Sequence, residues 1–313
     1  MTADAPGTVC VYVVGMHRSG TSATAGFLAQ LGLGMPTGDD LVPAEESNEL
    51  GHWESRSLLR LSNRLVRHFG GTWSIPPRLS PGWQDDPALD GLRAQARLAF
   101  ATAFAGGPIA FKDPRLCITL PFWQTVVQAP SAAVFVLRDP TEVADSLRAR
   151  SGLRIVHALA MWDRHVRSAA ANLRGLPTLV VDYGDTLADP AGWSRRLVDF
   201  LGDVGVEVDP GRRDSAEAFL DAGLRHHHAP PAAPPGPADS SRRLFDVLVA
   251  RHGAHRAWSV PDVGPEPEWV DDVLDLVAEL EALHIAYGSL QRSRAFRVAR
   301  TFWKLGGTVP EGP

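Results

Sequence analysis

The sequence feature that most constrains the fold is a short apolar run, 9–14, that leads into a loop bounded by Gly15 and Gly20. A glycine-bounded loop between an apolar run and a helical segment is typical of the first strand, loop and helix of a parallel α/β sheet. The amide groups of such a loop and of the helix start form a cradle for an anion. This stretch therefore predicts a phosphate-like ligand at the end of the first strand.

The loop is close in spacing to a nucleotide-binding P-loop, G-x-x-x-x-G-K-[ST], but its cation is displaced. Thr21 stands where the P-loop lysine belongs, and Arg18 supplies the cation inside the loop. A P-loop lysine reaches the β- and γ-phosphates, whereas a cation inside the loop is expected near a 5′-phosphate. The loop thus favours one phosphate-like group and its leaving oxygen over a triphosphate with magnesium.

Further apolar runs at 108–111, 132–137 and 177–181 alternate with segments of helical periodicity. This alternation predicts a P-loop-like, doubly wound α/β fold, in which a mostly parallel sheet is covered by helices on both faces. Ligands of such folds bind at the carboxyl ends of the strands. The predicted helical segments are 21–31, 54–68, 88–104, 118–128, 140–149, 153–173, 190–202, 240–254 and 267–287.

Composition narrows the classes of function. The net charge of −5 gives no electrostatic support for nucleic-acid binding. No apolar run approaches the roughly 18 residues of a membrane span, and the first residues lack the pattern of a signal peptide, so we expect a cytoplasmic protein without an integral membrane segment. Cys10 and Cys117 have no metal-ligand or redox spacing and are expected to be buried.

Two motifs carry a family resemblance. His17–Ser22 resembles the 5′-phosphosulfate loop of sulfotransferases that use 3′-phosphoadenosine 5′-phosphosulfate (PAPS). The apolar run 134–137 ends in Arg138, and Ser146 follows eight residues later. This spacing is similar to the family's 3′-phosphate motif, an arginine at a strand end and a serine eight residues on. Over residues 9–225 the chain resembles bacterial members of this family.

The resemblance implies a set of nucleotide-binding residues. Tyr183 is similar to a tyrosine that the family places near the 3′-phosphate, and Arg225 to a basic residue of a late nucleotide-binding segment. Ala23 replaces the tryptophan on which cytosolic members stack adenine, so the adenine platform stays unassigned. The implied set is His17, Arg18, Ser19, Gly20, Thr21, Ser22, Arg138, Ser146, Tyr183 and Arg225.

The resemblance also implies the chemistry, transfer of a sulfuryl group from PAPS to an acceptor hydroxyl without a metal. Such a displacement needs a base at the hydroxyl and cations at the bridging oxygen, and Arg18 and Lys112 are the candidate cations. Pro114 stands where cytosolic members have a histidine base. Glu54, at the predicted start of helix 54–68, is the first choice of base, and the reserves are His52, Glu46 and Asp113.

Each of these residues also has a plainer structural interpretation. Arg18 could be a solvated arginine, and Lys112 could pair with Asp113 to close a strand. Glu54 could be a carboxylate that only caps a helix, and Tyr183 a partly buried tyrosine. His226–His228 favour loop histidines over a metal site, because adjacent histidines do not share one face of an element. The alternative functions are an ATP-dependent small-molecule kinase of the P-loop type and a nucleotide-binding protein without turnover.

The chain is expected to divide into three parts: 1–225 as the PAPS-binding core, 226–240 as a Pro-rich loop, and 241–313 as a C-terminal helical extension packed on the core. The irregular segment 34–52 is expected to form a loop over the active site. The basic and aromatic segment 291–304 is interpreted as a packed or oligomer-forming helix, which leaves a homodimer open. The composition of the loops would suit a carbohydrate, a glycosylated natural product or a phenol as acceptor, and family analogy favours a hydroxyl of a carbohydrate, glycan or natural product.

Overall fold

The computed structural model describes residues 8–45, 51–104, 106–224, 237–293 and residue 296. A five-stranded sheet in the order β2-β1-β3-β4-β5 forms the centre of the molecule. The first four strands pair in parallel, and β5 runs antiparallel to β4. The strands are β1 Cys10–Val14, β2 Ile109–Lys112, β3 Ser131–Leu137, β4 Thr178–Asp182 and β5 Gly253–His255.

The helices lie along the sequence largely where periodicity predicts them. They are α1 Thr21–Gln30, α2 Arg56–His68, α3 Asp90–Ala103, α4 Leu116–Val126, α5 Pro140–Ser151, α6 Ile155–Asn172, α7 Tyr183–Ala188, α8 Pro190–Asp203, α9 Arg213–Leu224, α10 Pro237–Val249 and α11 Glu268–Arg292. Periodicity did not predict α7 or α9. Helix α10 begins at Pro237 instead of residue 240, so it takes in the last residues of the expected Pro-rich loop.

Both faces of the sheet are covered, because successive side chains of a strand point to opposite faces. Tyr12 packs in a buried cluster with Phe111 and Trp162, whereas Val11 and Val13 belong to a second cluster on the other face. The predicted α/β fold, with a mostly parallel sheet between two layers of helices, is confirmed. Cys10 and Cys117 are free and buried, as expected.

The strand order sets the position of the site. β1 lies between β2 and β3. The connection after β1 therefore leads to the neighbouring strand β2, at the edge of the sheet, and the connection after β2 crosses back past β1 to reach β3. A crevice for ligands lies outside the carboxyl ends of the strands at such a switch point. Candidate residues stand at or directly after four strand ends: the loop from Gly15, Lys112, Arg138 and Tyr183.

Candidate active site

The loop from Gly15 to Gly20 joins β1 to α1 and turns sharply at two positions. Arg18 has a φ of 68° and Gly20 a φ of 90°, both in the left-handed region. Gly20 is the N-cap of α1 and makes no side-chain capping bond. The first-turn amide groups of α1 therefore face the carboxyl edge of the sheet without a side-chain cap, in the arrangement that binds an anion.

The two glycines let this loop pass close to neighbouring strands. A Cβ at Gly15 would lie 2.6 Å from the backbone oxygen of Val136, and a Cβ at Gly20 would lie 2.2 Å from Cδ2 of Tyr183. These distances are well inside van der Waals contact. The loop is thus fixed against β3 on one side and against the Tyr183 ring, directly after β4, on the other.

Four residues from distant parts of the sequence meet beside the loop, and we call Arg18, Arg138, Ser146 and Tyr183 the arginine cluster. Arg18 Nε donates to Ser146 Oγ over 2.9 Å, and Arg138 Nη1 donates to the backbone oxygen of Arg18 over 3.0 Å. The Arg138 guanidinium lies 4.9 Å from the ring centroid of Tyr183. Arg138 and Ser146, the pair that the motif spacing predicts, therefore lie on the same side of the loop.

The electrostatics of the arginine cluster favour an anion. Burial, followed by the guanidinium groups of Arg150 and Arg138, lowers the pKa of Arg18. Glu142 compensates part of this charge by accepting from Arg138 Nε over 2.9 Å. A bound anion between two partly buried guanidinium groups would relieve their repulsion.

A second group, on the β2 side of the loop, consists of Ser22, His52, Glu54 and Lys112, and we call it the lysine cluster. Lys112 Nζ lies 2.5 Å from Glu54 Oε1, 3.1 Å from the backbone oxygen of His52 and 3.2 Å from Ser22 Oγ. Lys112 is 3% and Glu54 8% exposed. A buried ammonium is thus joined both to the start of α1 and to the carboxylate that the sequence analysis selected as base.

Glu54 reaches Lys112 because of the turn that precedes α2. Gly51 and Trp53 both have positive φ, at 87° and 57°. The helix begins at Arg56, after a Ser55 cap that accepts from the Leu58 amide, so the predicted start at residue 54 is wrong. A serine at the cap position satisfies the first turn by itself. Glu54 therefore precedes the helix and is not needed as its cap.

The reserve bases have different surroundings. His52 Nε2 lies 3.6 Å from a Glu45 carboxylate oxygen, and burial followed by the charge of Lys112 lowers the pKa of His52. Asp113 Oδ1 accepts from the backbone and side chain of Arg115, over 2.9 and 3.0 Å. Sequence reasoning did not include Arg115, whose Nε also donates to Asn63. Glu46 lies outside the described residues, as does Arg225.

The His17 ring packs against α6 and against Trp73. Its ring centroid lies 5.9 Å from that of His165 and 5.8 Å from that of Trp73. Burial, followed by the charge of Arg115, lowers the pKa of His17 well below its usual range, so the ring is neutral at physiological pH. The protein offers no hydrogen-bond partner to Ser19 Oγ among the described residues.

No described helix combines the length and apolar character of a membrane span. In the ranges that the structure covers, no group of three or more histidine, cysteine, aspartate or glutamate side chains could hold a metal ion. His226–His228 lie outside those ranges.

Comparison with known proteins gives matches among solved structures only. No protein-family model matches the chain, and no curated sequence is similar to it. A sulfotransferase domain from the Synechococcus PCC 7002 olefin synthase is 16% identical, covers 88% of this chain and 96% of its own, and has a TM-score of 0.40. A sulfotransferase domain from the curacin biosynthetic pathway is 13% identical, with 88% and 98% covered and a TM-score of 0.42.

A third match, a sulfotransferase from Mycobacterium avium, is 14% identical, covers 79% of this chain and 76% of its own, and has a TM-score of 0.39. At these identities the likeness concerns the fold. The three solved structures described above are sulfotransferases.

Proposed function

We propose that this protein is a PAPS-dependent sulfotransferase, which moves a sulfuryl group to a hydroxyl of a carbohydrate or another small natural product without a metal. The observation that carries the proposal is the position of the arginine cluster and the lysine cluster on opposite sides of the loop between β1 and α1. The arginine cluster offers charge for a phosphate, and the lysine cluster offers a cation next to a carboxylate. A donor with two separated anionic groups fits this arrangement.

The arginine cluster would anchor the 3′-phosphate. Arg138 and Ser146 match the family motif in type and spacing, and both are held beside the loop by Arg18. Because Arg18 already contacts Ser146, its charge would act on the nucleotide more than on the reacting group. Tyr183 would orient Arg138 through the contact of its ring with the guanidinium.

The lysine cluster would perform the transfer. The acceptor oxygen forms a bond to sulfur, the bond from sulfur to the bridging phosphate oxygen breaks, and the hydroxyl proton goes to Glu54. Lys112 would neutralise the negative charge that develops on the bridging oxygen. In the free protein the ammonium is paired with Glu54, so an anionic donor would compete for it and leave the carboxylate available to the acceptor hydroxyl.

The donor site is tested by calorimetric binding of 3′-phosphoadenosine 5′-phosphate and of adenosine 5′-monophosphate, which differ only in the 3′-phosphate, and of ATP with magnesium. The wild type is expected to prefer 3′-phosphoadenosine 5′-phosphate without magnesium. Arg138→Ala should lose about 10–100-fold in affinity for the 3′-phosphorylated nucleotide, since a charge-assisted hydrogen bond contributes about 1.5–3 kcal/mol. Its affinity for adenosine 5′-monophosphate should change little.

Arg148→Ala is the matched control, because it removes an exposed arginine of α5 that pairs with Asp145. It should bind both nucleotides like the wild type. Preference for ATP with magnesium, or equal affinity for the two nucleotides, would contradict the sulfotransferase proposal and favour a kinase.

Gly20→Ala is expected to weaken nucleotide binding at least about tenfold, because its Cβ would displace the Tyr183 ring. The matched control is Gly82→Ala. Gly82 has a φ of 85°, close to the 90° of Gly20, but a Cβ there would meet no atom within 4 Å. Urea unfolding should show a cost of about 1–2 kcal/mol for both variants from the left-handed backbone, and a further cost for Gly20→Ala alone from the contact with the Tyr183 ring. Equal losses of nucleotide affinity would mean that backbone strain alone is responsible.

A further inference from the structure

Helix α11 packs on the molecule over its first turns and then extends away from it. Val270 and Leu274 are buried, and they belong to the same hydrophobic cluster as residues of α6. From Glu279 to Arg292 every residue is exposed except Gly288, which is half-buried. A helix exposed on every side gains little stability from its own protein, so the second half of α11 needs another explanation.

Helix α11 carries a regular apolar seam that runs from its packed half into its exposed half, and we define it as Val273, Leu276, Leu280, Leu283, Tyr287 and Leu290. Val273, at the start of the seam, is partly buried against the core of its own chain. The intervals between these residues alternate between three and four, the spacing of a and d positions in a coiled coil. Five of the six are exposed, from 52% for Leu290 to 66% for Leu283. Large apolar side chains so exposed at this spacing indicate a partner helix.

The charges of α11 select the partner and its direction. Residues 268–281 contain Glu268, Asp271, Asp272, Asp275, Glu279 and Glu281 and no basic residue, whereas residues 282–292 contain His284 and Arg292 and no acidic residue. Two parallel copies of this helix would place acidic half against acidic half. Two antiparallel copies place each acidic half beside the half of the other copy that has no acidic residue and carries His284 and Arg292. Asp271 already pairs with Arg78 and Arg164 of its own chain, so the acidic groups that such a pairing would relieve are mainly Asp275, Glu279 and Glu281. A second copy of this chain in the antiparallel direction is therefore the partner that the charges favour.

The seam also has a register that suits two antiparallel copies. When Leu280 lies opposite Leu283 of the second copy, Leu276 lies opposite Tyr287 and Val273 opposite Leu290. Every seam residue then has an apolar residue of the other copy at its own level. The arrangement is isologous, so one two-fold axis relates the copies and the interface closes at two.

We propose that α11 forms an antiparallel helix pair with α11 of a second copy, and that the protein is a homodimer in solution. The proposal depends on the apolar seam and on the uneven distribution of charge along α11, and it is independent of the proposed enzymatic activity. The seam lies on a helix that contributes no residue to the arginine or lysine clusters.

Sedimentation equilibrium of the full chain tests the proposal. The wild type is expected to dimerise, and Leu283→Glu to weaken the dimer at least about 100-fold, because the change buries a carboxylate and removes an apolar contact in both copies. Ile285→Glu is the matched control: Ile285 is 68% exposed on the same helix but outside the seam. It adds the same charge and should leave the dimer intact. Circular dichroism checks that both variants are folded.

Disulfide cross-linking tests the direction. Leu276→Cys and Tyr287→Cys proteins should cross-link efficiently only when mixed, since these two exposed positions face each other in the antiparallel pair. Parallel helices would instead cross-link each variant with itself. The native cysteines are both buried and should not interfere.

A monomeric wild type, or a dimer that Leu283→Glu and Ile285→Glu affect equally, overturns the proposal. A monomer that Leu283→Glu destabilises more than Ile285→Glu would assign the seam to a segment of the same chain and would equally overturn it.

Discussion

Lys112→Met is expected to lower kcat for sulfuryl transfer by about 10²–10³-fold, with a smaller effect on the affinity for 3′-phosphoadenosine 5′-phosphate. Lys112 supplies the cation at the end of β2, and loss of one preorganised charge-stabilising group typically costs this much in rate. The arginine cluster stays intact in the variant, so the nucleotide should still bind through its 3′-phosphate. The measurement is steady-state transfer from PAPS, together with calorimetric nucleotide binding.

A loss of stability has to be separated from a loss of chemistry. Lys112→Met leaves the Glu54 carboxylate buried without the ammonium that lies 2.5 Å away, and breaking a buried pair in this way costs about 3–5 kcal/mol. Replacing both members usually costs little. The double variant with Lys112→Met and Glu54→Met, in which both charges are replaced by apolar side chains of similar size, should therefore unfold in urea much like the wild type and still be inactive.

Arg164→Met provides the comparison at a buried pair outside both clusters. Arg164 is 5% exposed and pairs with Glu266 at 2.6 Å, so its loss should lower the free energy of unfolding as Lys112→Met does. Its kcat should remain close to that of the wild type. Equal losses of kcat in Arg164→Met and Lys112→Met would mean that Lys112 acts through stability alone.

The strands show how far the sequence specifies this fold. Four buried parallel strands are continuous apolar runs, and each observed bound lies within one residue of its prediction. The fifth strand, Gly253–His255, has three residues with no buried side chain, so it carries no apolar signal. It exists because β4 offers a free edge, which is a property of the assembled sheet. Helix α7 has only six residues, too few for a periodic pattern.

The loop between Gly15 and Gly20 and the Arg138–Ser146 pair could be found from spacing, because each lies within one strand–turn–helix unit. The contacts between different strand–turn–helix units could not be found in this way. Arg18 reaches Ser146, 128 positions away, since its backbone adopts a left-handed φ that no sequence rule assigns to arginine. The Lys112–Glu54 pair joins residues 58 positions apart, and it depends on the turn at Gly51 and Trp53.

Glu54→Gln is expected to lower kcat by about 10²–10⁴-fold, the usual contribution of a general base. The amide keeps the size of the side chain and an oxygen that can accept from Lys112, but it cannot take a proton from the acceptor hydroxyl. Binding of 3′-phosphoadenosine 5′-phosphate should be retained, because the arginine cluster is unchanged. Transfer kinetics and nucleotide calorimetry on the same preparation measure both quantities.

Two variants identify the base. Glu45→Gln removes a carboxylate that is 55% exposed and lies near His52, and it should leave kcat close to the wild-type value. His52→Gln tests the reserve base, whose lowered pKa keeps the ring neutral and able to accept a proton at physiological pH. If His52→Gln loses more activity than Glu54→Gln, His52 is the base and Glu54 only holds Lys112.

The division of the Glu54→Gln effect between binding and rate separates a catalytic from a positioning role. In the free protein Glu54 competes with the donor for the Lys112 ammonium, and a neutral amide competes less strongly. A catalytic Glu54 therefore predicts an affinity for PAPS that is equal or higher in the variant, together with the fall in kcat. If Glu54 only positions Lys112, the opposite is expected. Glu54→Gln should then bind PAPS more weakly, and its kcat should not show the fall expected from loss of a base, because Lys112 is still present.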